Sequence, residues 1–134
     1  MTPKPILVVD DEPAILDMIA ELLRYEGYDV ITTTEGSSAV ARAKQEPPAL
    51  ILLDLMMPGM SGWQVIAALK ASPKTRAIPI VLLSARRDLP ATATELGIVT
   101  FLAKPFDLDE LIGIVQRYTK SGPQPNTGDP ASQP

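Results

Sequence analysis

Five short runs of apolar and β-branched residues alternate along this chain with stretches in which apolar residues recur at helical intervals. The runs are Ile6–Val9, Tyr28–Thr33, Leu50–Leu53, Ile78–Leu83 and Ile98–Leu102. Most are apolar along their length instead of at every second residue, which is typical of strands buried on both faces of a parallel sheet. The alternation therefore predicts an α/β fold, in which one sheet of five parallel strands carries five helices on its two faces.

The helical stretches differ in how clearly they are marked. In the first, five apolar residues recur at intervals typical of one helix face: Ile15, Met18, Ile19, Leu22 and Leu23. Pro13 suits its first turn and Gly27 its end. The last helix begins at Asp107, and Glu110 three residues later completes a pair that resembles a capping box. Pro90 lies where the fourth helix is expected, so that helix begins near Pro90 or is short and mobile.

The composition excludes several kinds of functional site, because the 134 residues include no histidine and no cysteine. This excludes disulfides, thiolate nucleophiles, zinc sites built from cysteine or histidine, and a serine–histidine pair within the chain. The net charge of −4 comes without a basic stripe, so we expect no direct contact with nucleic acid. The first apolar run, Ile6–Val9, is too short for a signal peptide or a membrane span, and we expect a cytoplasmic protein that does not contact a membrane.

The last 14 residues differ from the rest of the chain. Residues 121–134 read SGPQPNTGDPASQP, with one apolar side chain, Ala131, and one charge, Asp129. Such a segment buries too little apolar surface to offset the entropy that ordering would cost. We therefore predict one folded domain within residues 1–120, followed by a flexible tail or linker rich in proline, glycine and serine over residues 121–134.

Polar or charged residues follow four of the five predicted strands. They are Asp10, Asp11 and Glu12 after the first strand, Asp54 at the end of the third, Ser84 after the fourth and Lys104 after the fifth. The carboxyl ends of parallel strands share one edge of the sheet, so these side chains are expected to converge there. Aspartates at such close range should raise a pKa or recruit a cation, and ligands made only of oxygen suit Mg²⁺. Together with a lysine and a hydroxyl, this set suits the placement of a phosphoryl group on a carboxylate.

Four segments, in this order, resemble the receiver domain of bacterial two-component response regulators. They are VVDDEPAIL, DLMMPGMSGW, PIVLLSA and FLAKPF, and the resemblance covers about Pro5 to Lys120. Within the second segment, the family's Asp-x-x-Met-Pro-x-x-x-Gly pattern is intact, from Asp54 to Gly62. The resemblance implies a flavodoxin-like (βα)5 receiver fold.

The resemblance also implies a role for each site residue. Asp54 is then the phosphoacceptor. Asp11, Asp54 and the backbone carbonyl of Met56 would bind Mg²⁺ (or Mn²⁺) directly, and Asp10 would help through a water molecule. The hydroxyl of Ser84 would bind one phosphoryl oxygen, and the ammonium of Lys104 another.

Three further features follow from the same resemblance. Phe101 occupies the position of an aromatic switch residue, and Ser84 would move together with it. The bond between Lys104 and Pro105 is expected to be a cis peptide bond. Phosphorylation would then change the surface formed by the fourth helix, the fifth strand and the fifth helix.

The function implied is that of a signalling domain and not of an enzyme, apart from Mg-dependent self-phosphorylation and autodephosphorylation. The phosphoryl group would come from a phosphohistidine of a histidine kinase or a phosphotransfer protein, since this chain has no histidine to offer. The output would pass to an effector protein or to a domain absent from this chain. We expect a monomer or a phosphorylation-dependent dimer.

Each site residue also has a plainer interpretation. The acidic triplet could cap the first helix, Asp54 could be a turn residue, Ser84 could be a helix cap, and Lys104 could be a solvated surface lysine. Phe101 could equally be an ordinary core residue.

Three other functions are alternatives to that of a receiver domain. A phosphatase of the haloacid dehalogenase type needs an Asp-x-Asp pair after the first strand, whereas here Asp10 and Asp11 are adjacent. A flavin-binding module needs phosphate-binding donors where this chain has three acids. A degenerate receiver that acts only through protein contacts would lack an acceptor, an acid or the lysine, and none is missing.

Overall fold

The computed structural model describes residues 4–84 and 97–119. Its five strands are β1 (Ile6–Val9), β2 (Val30–Thr33), β3 (Leu50–Asp54), β4 (Ile80–Ser84) and β5 (Ile98–Ala103). They form one sheet in the order β2-β1-β3-β4-β5, and every neighbouring pair is parallel. The predicted five-stranded parallel sheet is therefore confirmed.

Two strands begin two residues later than their apolar runs predicted. The N–H of Tyr28 donates to the carbonyl of Leu23 at 3.0 Å, which ties it to the preceding helix, so β2 begins at Val30. The N–H of Ile78 likewise donates to the carbonyl of Thr75, at 3.2 Å. Each of these residues contributes to a turn before its strand joins the sheet.

Four helices lie in the described part of the chain: α1 (Pro13–Tyr25), α2 (Gly36–Gln45), α3 (Gly62–Lys70) and α4 (Leu108–Thr119). The helix α1 begins at Pro13 as predicted, and Gly27 beyond its end has the positive φ of 98° that favours glycine. The predicted fourth helix around Pro90 and the predicted tail over residues 121–134 lie outside the described residues. None of the four helices has the length and apolar character that crossing a membrane requires.

The core has two halves, one on each face of the sheet. Alternate residues of β1 and β3 face opposite halves, so Leu7 and Val9 pack on one side while Ile6 and Val8 pack on the other. The first half is covered by α2 and α3, and the second by α1 and α4. All four residues of β1 are buried, which explains why the run is apolar throughout.

The junction between β3 and α3 is packed closely. Ser61 begins α3 with a capping box, in which it and Gln64 exchange side-chain and backbone hydrogen bonds. A Cβ atom added at Gly62 would lie 2.7 Å from Leu55 Cα and 2.8 Å from the carbonyl oxygen of Asp54. Only glycine therefore lets α3 begin so close to the end of β3.

The strand order reverses between β1 and β3. The chain passes from β1 to β2 on one side and then returns to β3 on the other side. In the register of the sheet, Val9 is the partner of Leu53, so the residues that follow them meet at the carboxyl edge. Open α/β sheets bind their ligands at such a reversal, and Asp10 and Asp54 both lie there.

Candidate functional site

Asp10 and Asp54 are the two buried carboxylates of the described residues, and both lie at the carboxyl edge of the sheet. Asp10 directly follows β1 and is 0% exposed, while Asp54 ends β3 and is 3% exposed. A charged group so deeply buried requires a partner of opposite charge or a cation. The predicted convergence of these two strand ends is therefore observed.

Lys104 supplies the positive charge between these acids. Its Nζ lies 2.9 Å from Asp10 Oδ2, 3.5 Å from Asp54 Oδ2 and 3.9 Å from Glu12 Oε1. The Lys104 side chain is 22% exposed, so water screens these pairs less than it screens ion pairs on the surface. The peptide bond between Lys104 and Pro105 is cis, the form that the family resemblance implied.

Asp11 completes an acidic cluster with Asp10 and Asp54. One carboxylate oxygen of each residue lies within 4.8 Å of an oxygen of the other two. Three carboxylates at this separation repel one another, and a hard divalent cation can be bound by all of them. The donor set is made entirely of oxygen and therefore fits Mg²⁺ or Mn²⁺ better than a metal that prefers nitrogen or sulfur.

Backbone hydrogen bonds hold the two buried carboxylates in place. The N–H of Glu12 donates to Asp10 Oδ1 at 2.9 Å, and the N–H of Met56 donates to Asp54 Oδ1 at 3.1 Å. In each carboxylate the other oxygen, Oδ2, is the one that faces Lys104. This arrangement leaves the orientation of both groups well defined.

The pKa of Asp54 reflects its surroundings. Burial raises it from 3.8 to about 6, and the nearby charge of Asp10 and a hydrogen bond with Asp11 act in the same direction. The N–H of Met56 and the charge of Lys104 oppose this rise without cancelling it. Asp54 is thus mostly ionised at neutral pH but takes up a proton in mildly acidic solution.

The pKa of Lys104 moves in the direction that favours its charged form. Burial alone lowers it, but the hydrogen bond and charge of Asp10 and the charge of Asp54 outweigh that effect, so the pKa lies above its ordinary value. Lys104 is therefore a permanent cation in this pocket.

The remaining predicted site residues are Ser84, Phe101 and Met56. Ser84 ends β4, next to Leu83, which is the strand partner of Asp54; its side chain is outside the described part of the structure. Phe101 lies in β5 opposite Leu82 and is partly buried against the half of the core under α2 and α3. The Met56 side chain is 79% exposed, while its backbone contacts Asp54.

Sequence reasoning missed the contact between Glu12 and Lys104. It also assigned Asp10 to the metal without expecting that Asp10 would be the nearest partner of Lys104. The sequence did indicate that Glu12 lies near the site, since Glu12 directly follows the two aspartates. Its distance from a lysine that follows another strand, however, depends on side-chain conformations that sequence spacing does not specify.

Comparison with known proteins agrees with the resemblance found in the sequence. The family model described as "Response regulator receiver domain" matches residues 6–116. The probable transcriptional regulatory protein TcrX of Mycobacterium tuberculosis is 38% identical over 113 residues, which are 82% of this chain and 47% of that protein. The sporulation initiation phosphotransferase F of Bacillus subtilis is 33% identical over 118 residues, which are 88% of this chain and 95% of that protein. The chain thus spans about half the length of the first relative and nearly all of the second.

Solved structures share the fold. The receiver domain of the sensor histidine kinase PA1611 from Pseudomonas aeruginosa has a TM-score of 0.78 and 32% identity, covers 90% of this chain and 100% of that chain, and has a magnesium ion coordinated in its active-site cleft. The chemotaxis response regulator CheY4 of Vibrio cholerae has a TM-score of 0.80 and 28% identity, with 87% of this chain and 99% of that chain covered.

Proposed function

The chain belongs to the response regulator receiver domain family, and on this premise we propose that Asp54 accepts a phosphoryl group that switches the domain between two signalling states. Receiver domains are signalling domains and not enzymes in the usual sense. The observation that carries the proposal is the position of Asp54, which is buried at the end of β3 with Lys104 Nζ 3.5 Å from its Oδ2.

The transfer itself places few demands on acid–base chemistry. A carboxylate oxygen of Asp54 forms a bond to phosphorus while the bond from phosphorus to the donor atom breaks. When the donor is a phosphohistidine, the imidazole nitrogen keeps the electron pair of the broken bond and takes a proton from solvent. Asp54 must be ionised to attack, and a pKa of about 6 allows this at neutral pH. Alignment and neutralisation of charge on the phosphoryl oxygens provide the rest of the catalysis.

We assign the metal to the acidic cluster. Asp11, Asp54 and the backbone carbonyl of Met56 would hold Mg²⁺ (or Mn²⁺), with Asp10 helping through a water molecule. The spacing of the three carboxylates, within 4.8 Å of one another, supports this assignment. When bound, the ion would neutralise charge on the phosphoryl oxygens.

Lys104 has two partners that compete for one ammonium group. Before transfer it contacts Asp10 at 2.9 Å and Asp54 at the longer distance of 3.5 Å. A phosphoryl group on Asp54 carries about −1.5 to −2 charge units in place of the single charge of the carboxylate, which makes the Asp54 side the stronger attraction. We infer that Lys104 then binds a phosphoryl oxygen and that its pairing with Asp10 weakens.

The signal would leave the pocket through β4 and β5. We infer that the hydroxyl of Ser84 binds another phosphoryl oxygen and that Phe101 turns inward as the end of β4 moves. The pairing of Phe101 with Leu82, two residues before Ser84, supports such a coupling. The surface that changes would be formed by the predicted fourth helix, β5 and α4.

The partners follow from the same chemistry. The donor would be a phosphohistidine of a histidine kinase or a phosphotransfer protein, because this chain contains no histidine. The output would pass to a separate effector protein or to a domain outside these 134 residues. We place the protein in the cytoplasm, without direct binding to nucleic acid or membrane, as a monomer or a phosphorylation-dependent dimer.

Intact-mass measurement after incubation with acetyl phosphate and Mg²⁺ tests the proposal. We expect the mass of one added phosphoryl group in the wild type and none in Asp54→Asn. Asp29→Asn, which neutralises an exposed aspartate elsewhere, should be phosphorylated like the wild type. If the wild type binds Mg²⁺ but gains no phosphoryl group, the proposal is wrong and a domain that acts only through protein contacts becomes the better explanation.

A further inference from the structure

Glu12 is the one acid of the sequence triplet that the proposed chemistry does not use. Its Oε1 lies 3.9 Å from Lys104 Nζ, yet its side chain is 61% exposed. The Asp10 side chain, which shares the same ammonium, is 0% exposed. Glu12 therefore lies at the solvent side of the pocket, where a phosphoryl donor would enter.

The backbone of Glu12 performs a structural role that its side chain does not share. Glu12 is the N-cap of α1, but its side chain accepts no capping hydrogen bond. Its N–H donates to Asp10 Oδ1, and its carbonyl accepts the N–H groups of Ile15 and Leu16 at 3.1 Å. The carboxylate is thus held at the pocket by a fixed backbone while having no local structural duty of its own.

This inference rests on the proposed function and concerns which donors the pocket accepts. We propose that Glu12 is a specificity residue that disfavours small, freely diffusing anionic phosphoryl donors such as acyl phosphates. Three clustered acids plus Glu12 place four carboxylates at this pocket, and Lys104 is the cation that pairs with three of them, Asp10, Glu12 and Asp54. A divalent cation held by the cluster and the ammonium of Lys104 together offset the three charges of the clustered acids but leave that of Glu12, which is outside the cluster.

A donor carried by a partner protein responds differently to this charge. A free acyl phosphate has only its own few contacts with which to offset the repulsion from Glu12. A phosphoryl group presented by a docked protein is held near Asp54 by the contacts of the whole interface, which can offset the same repulsion. Glu12 would thereby reduce phosphorylation by metabolites relative to phosphorylation by a protein donor.

The test compares two variants that remove the same charge from matched positions. Glu12→Gln keeps the size and polarity of the side chain. Glu35→Gln is the control, because Glu35 is the exposed N-cap of α2 and also makes no side-chain capping bond. Glu35 is not among the ion-pair partners of Lys104 in the described residues. Both variants and the wild type are first titrated with Mg²⁺, so that rates are compared at saturation.

We expect Glu12→Gln to react with acetyl phosphate about three- to tenfold faster than the wild type at low ionic strength, and Glu35→Gln to change by less than about twofold. The gain in Glu12→Gln should shrink as salt is added, because added ions screen the exposed charge. It should also be smaller with phosphoramidate, which carries less negative charge than acetyl phosphate.

Three results would overturn the inference: an unchanged rate in Glu12→Gln, a slower rate, or a gain that neither salt nor donor charge affects. The last would mean that Glu12 acts by positioning Lys104 and not by its field. A different outcome, in which none of the three proteins is phosphorylated although all bind Mg²⁺, would refute the proposed function itself and the inference with it.

Discussion

Lys104 Nζ lies 2.9 Å from Asp10 Oδ2, although the two residues are 94 positions apart in the chain. The strands that precede them are not neighbours, since β3 and β4 lie between β1 and β5. The lysine side chain therefore reaches across the carboxyl ends of two strands and passes Asp54 on the way. In the described part of the chain, it is the only cation paired with these acids, so the charge balance of the pocket depends on it.

Asp54→Asn should stabilise the metal-free protein at neutral pH. The pKa of Asp54 is raised by burial from 3.8 to about 6, so between these values the folded state binds more protons than the unfolded state. The free energy of unfolding therefore falls as the pH rises through this window, by about 1–3 kcal/mol for this one group. Asp54→Asn has no carboxylate at this position whose ionisation lowers stability. The difference in free energy of unfolding between the variant and the wild type should therefore grow from about pH 4 to a plateau above about pH 6.5.

Urea unfolding at several pH values, with chelator present, measures this difference. Asp29→Asn controls for the loss of one negative charge at an exposed position. A stability difference between Asp54→Asn and the wild type that stays constant over the whole pH range would contradict the argument.

Lys104→Met should destabilise the metal-free protein by about 1–3 kcal/mol at neutral pH, because it leaves buried carboxylates without their cation. Asp10 loses a hydrogen bond of 2.9 Å and Asp54 loses its nearest positive charge. Mg²⁺ should stabilise the variant more than it stabilises the wild type, since the repulsion between the two cations is gone. Lys44→Met, on the exposed side of α2, is the control. It should change neither the stability of the metal-free protein nor the stabilisation by Mg²⁺. Equal stability of Lys104→Met and wild type without metal would show that the ion pairs contribute nothing net.

The fold was predictable from the sequence because β1 and β3 are buried on both faces and the helices on one. A continuous apolar run such as Ile6–Val9 indicates a strand buried on both faces. The spacing of apolar residues on α1 indicates a helix buried on one face. The site was predictable in outline for a related reason, since parallel strands bring their carboxyl ends to one edge. Asp10 and Asp54 had to be close once β1 and β3 were neighbours.

The details that the sequence did not predict depend on individual atomic contacts, some between nearby residues and some between distant segments. β2 begins later than predicted because the N–H of Tyr28 donates to the carbonyl of Leu23. The apolar pattern of the sequence does not indicate that hydrogen bond. The contact between Glu12 and Lys104 depends on how two long side chains lie over the pocket. In the same way, Gly62 matched a family motif, but its physical reason is the backbone of Leu55 against which it packs.

Mg²⁺ should raise the melting temperature of the wild type at neutral pH, because it binds the folded acidic cluster and not the unfolded chain. At a concentration of about 100 times the dissociation constant, the gain would be about 2.7 kcal/mol. Most of it should be lost in Asp11→Asn, which removes one carboxylate of the cluster, and kept in Asp17→Asn, on the exposed face of α1.

The same metal titration should depend on pH. Asp54 must lose its proton to bind the ion, so the apparent affinity should rise with pH through about 6. Differential scanning fluorimetry at several pH values measures the rise in melting temperature with Mg²⁺ and the dependence of that rise on pH. An equal shift in Asp11→Asn and the wild type would place the metal elsewhere.

Gly62→Ala should lower the free energy of unfolding by about 1–3 kcal/mol, because a methyl group there overlaps atoms that cannot move aside. The added Cβ would lie 2.7 Å from Leu55 Cα and 2.8 Å from the carbonyl oxygen of Asp54. Displacement of that backbone should also slow phosphorylation by acetyl phosphate. The matched control is Gly113→Ala on α4, where no atom lies within 4 Å and the change should stabilise by about 0.5–1 kcal/mol. Similar stability of both variants in urea unfolding would show that the close approach of α3 to β3 does not require glycine.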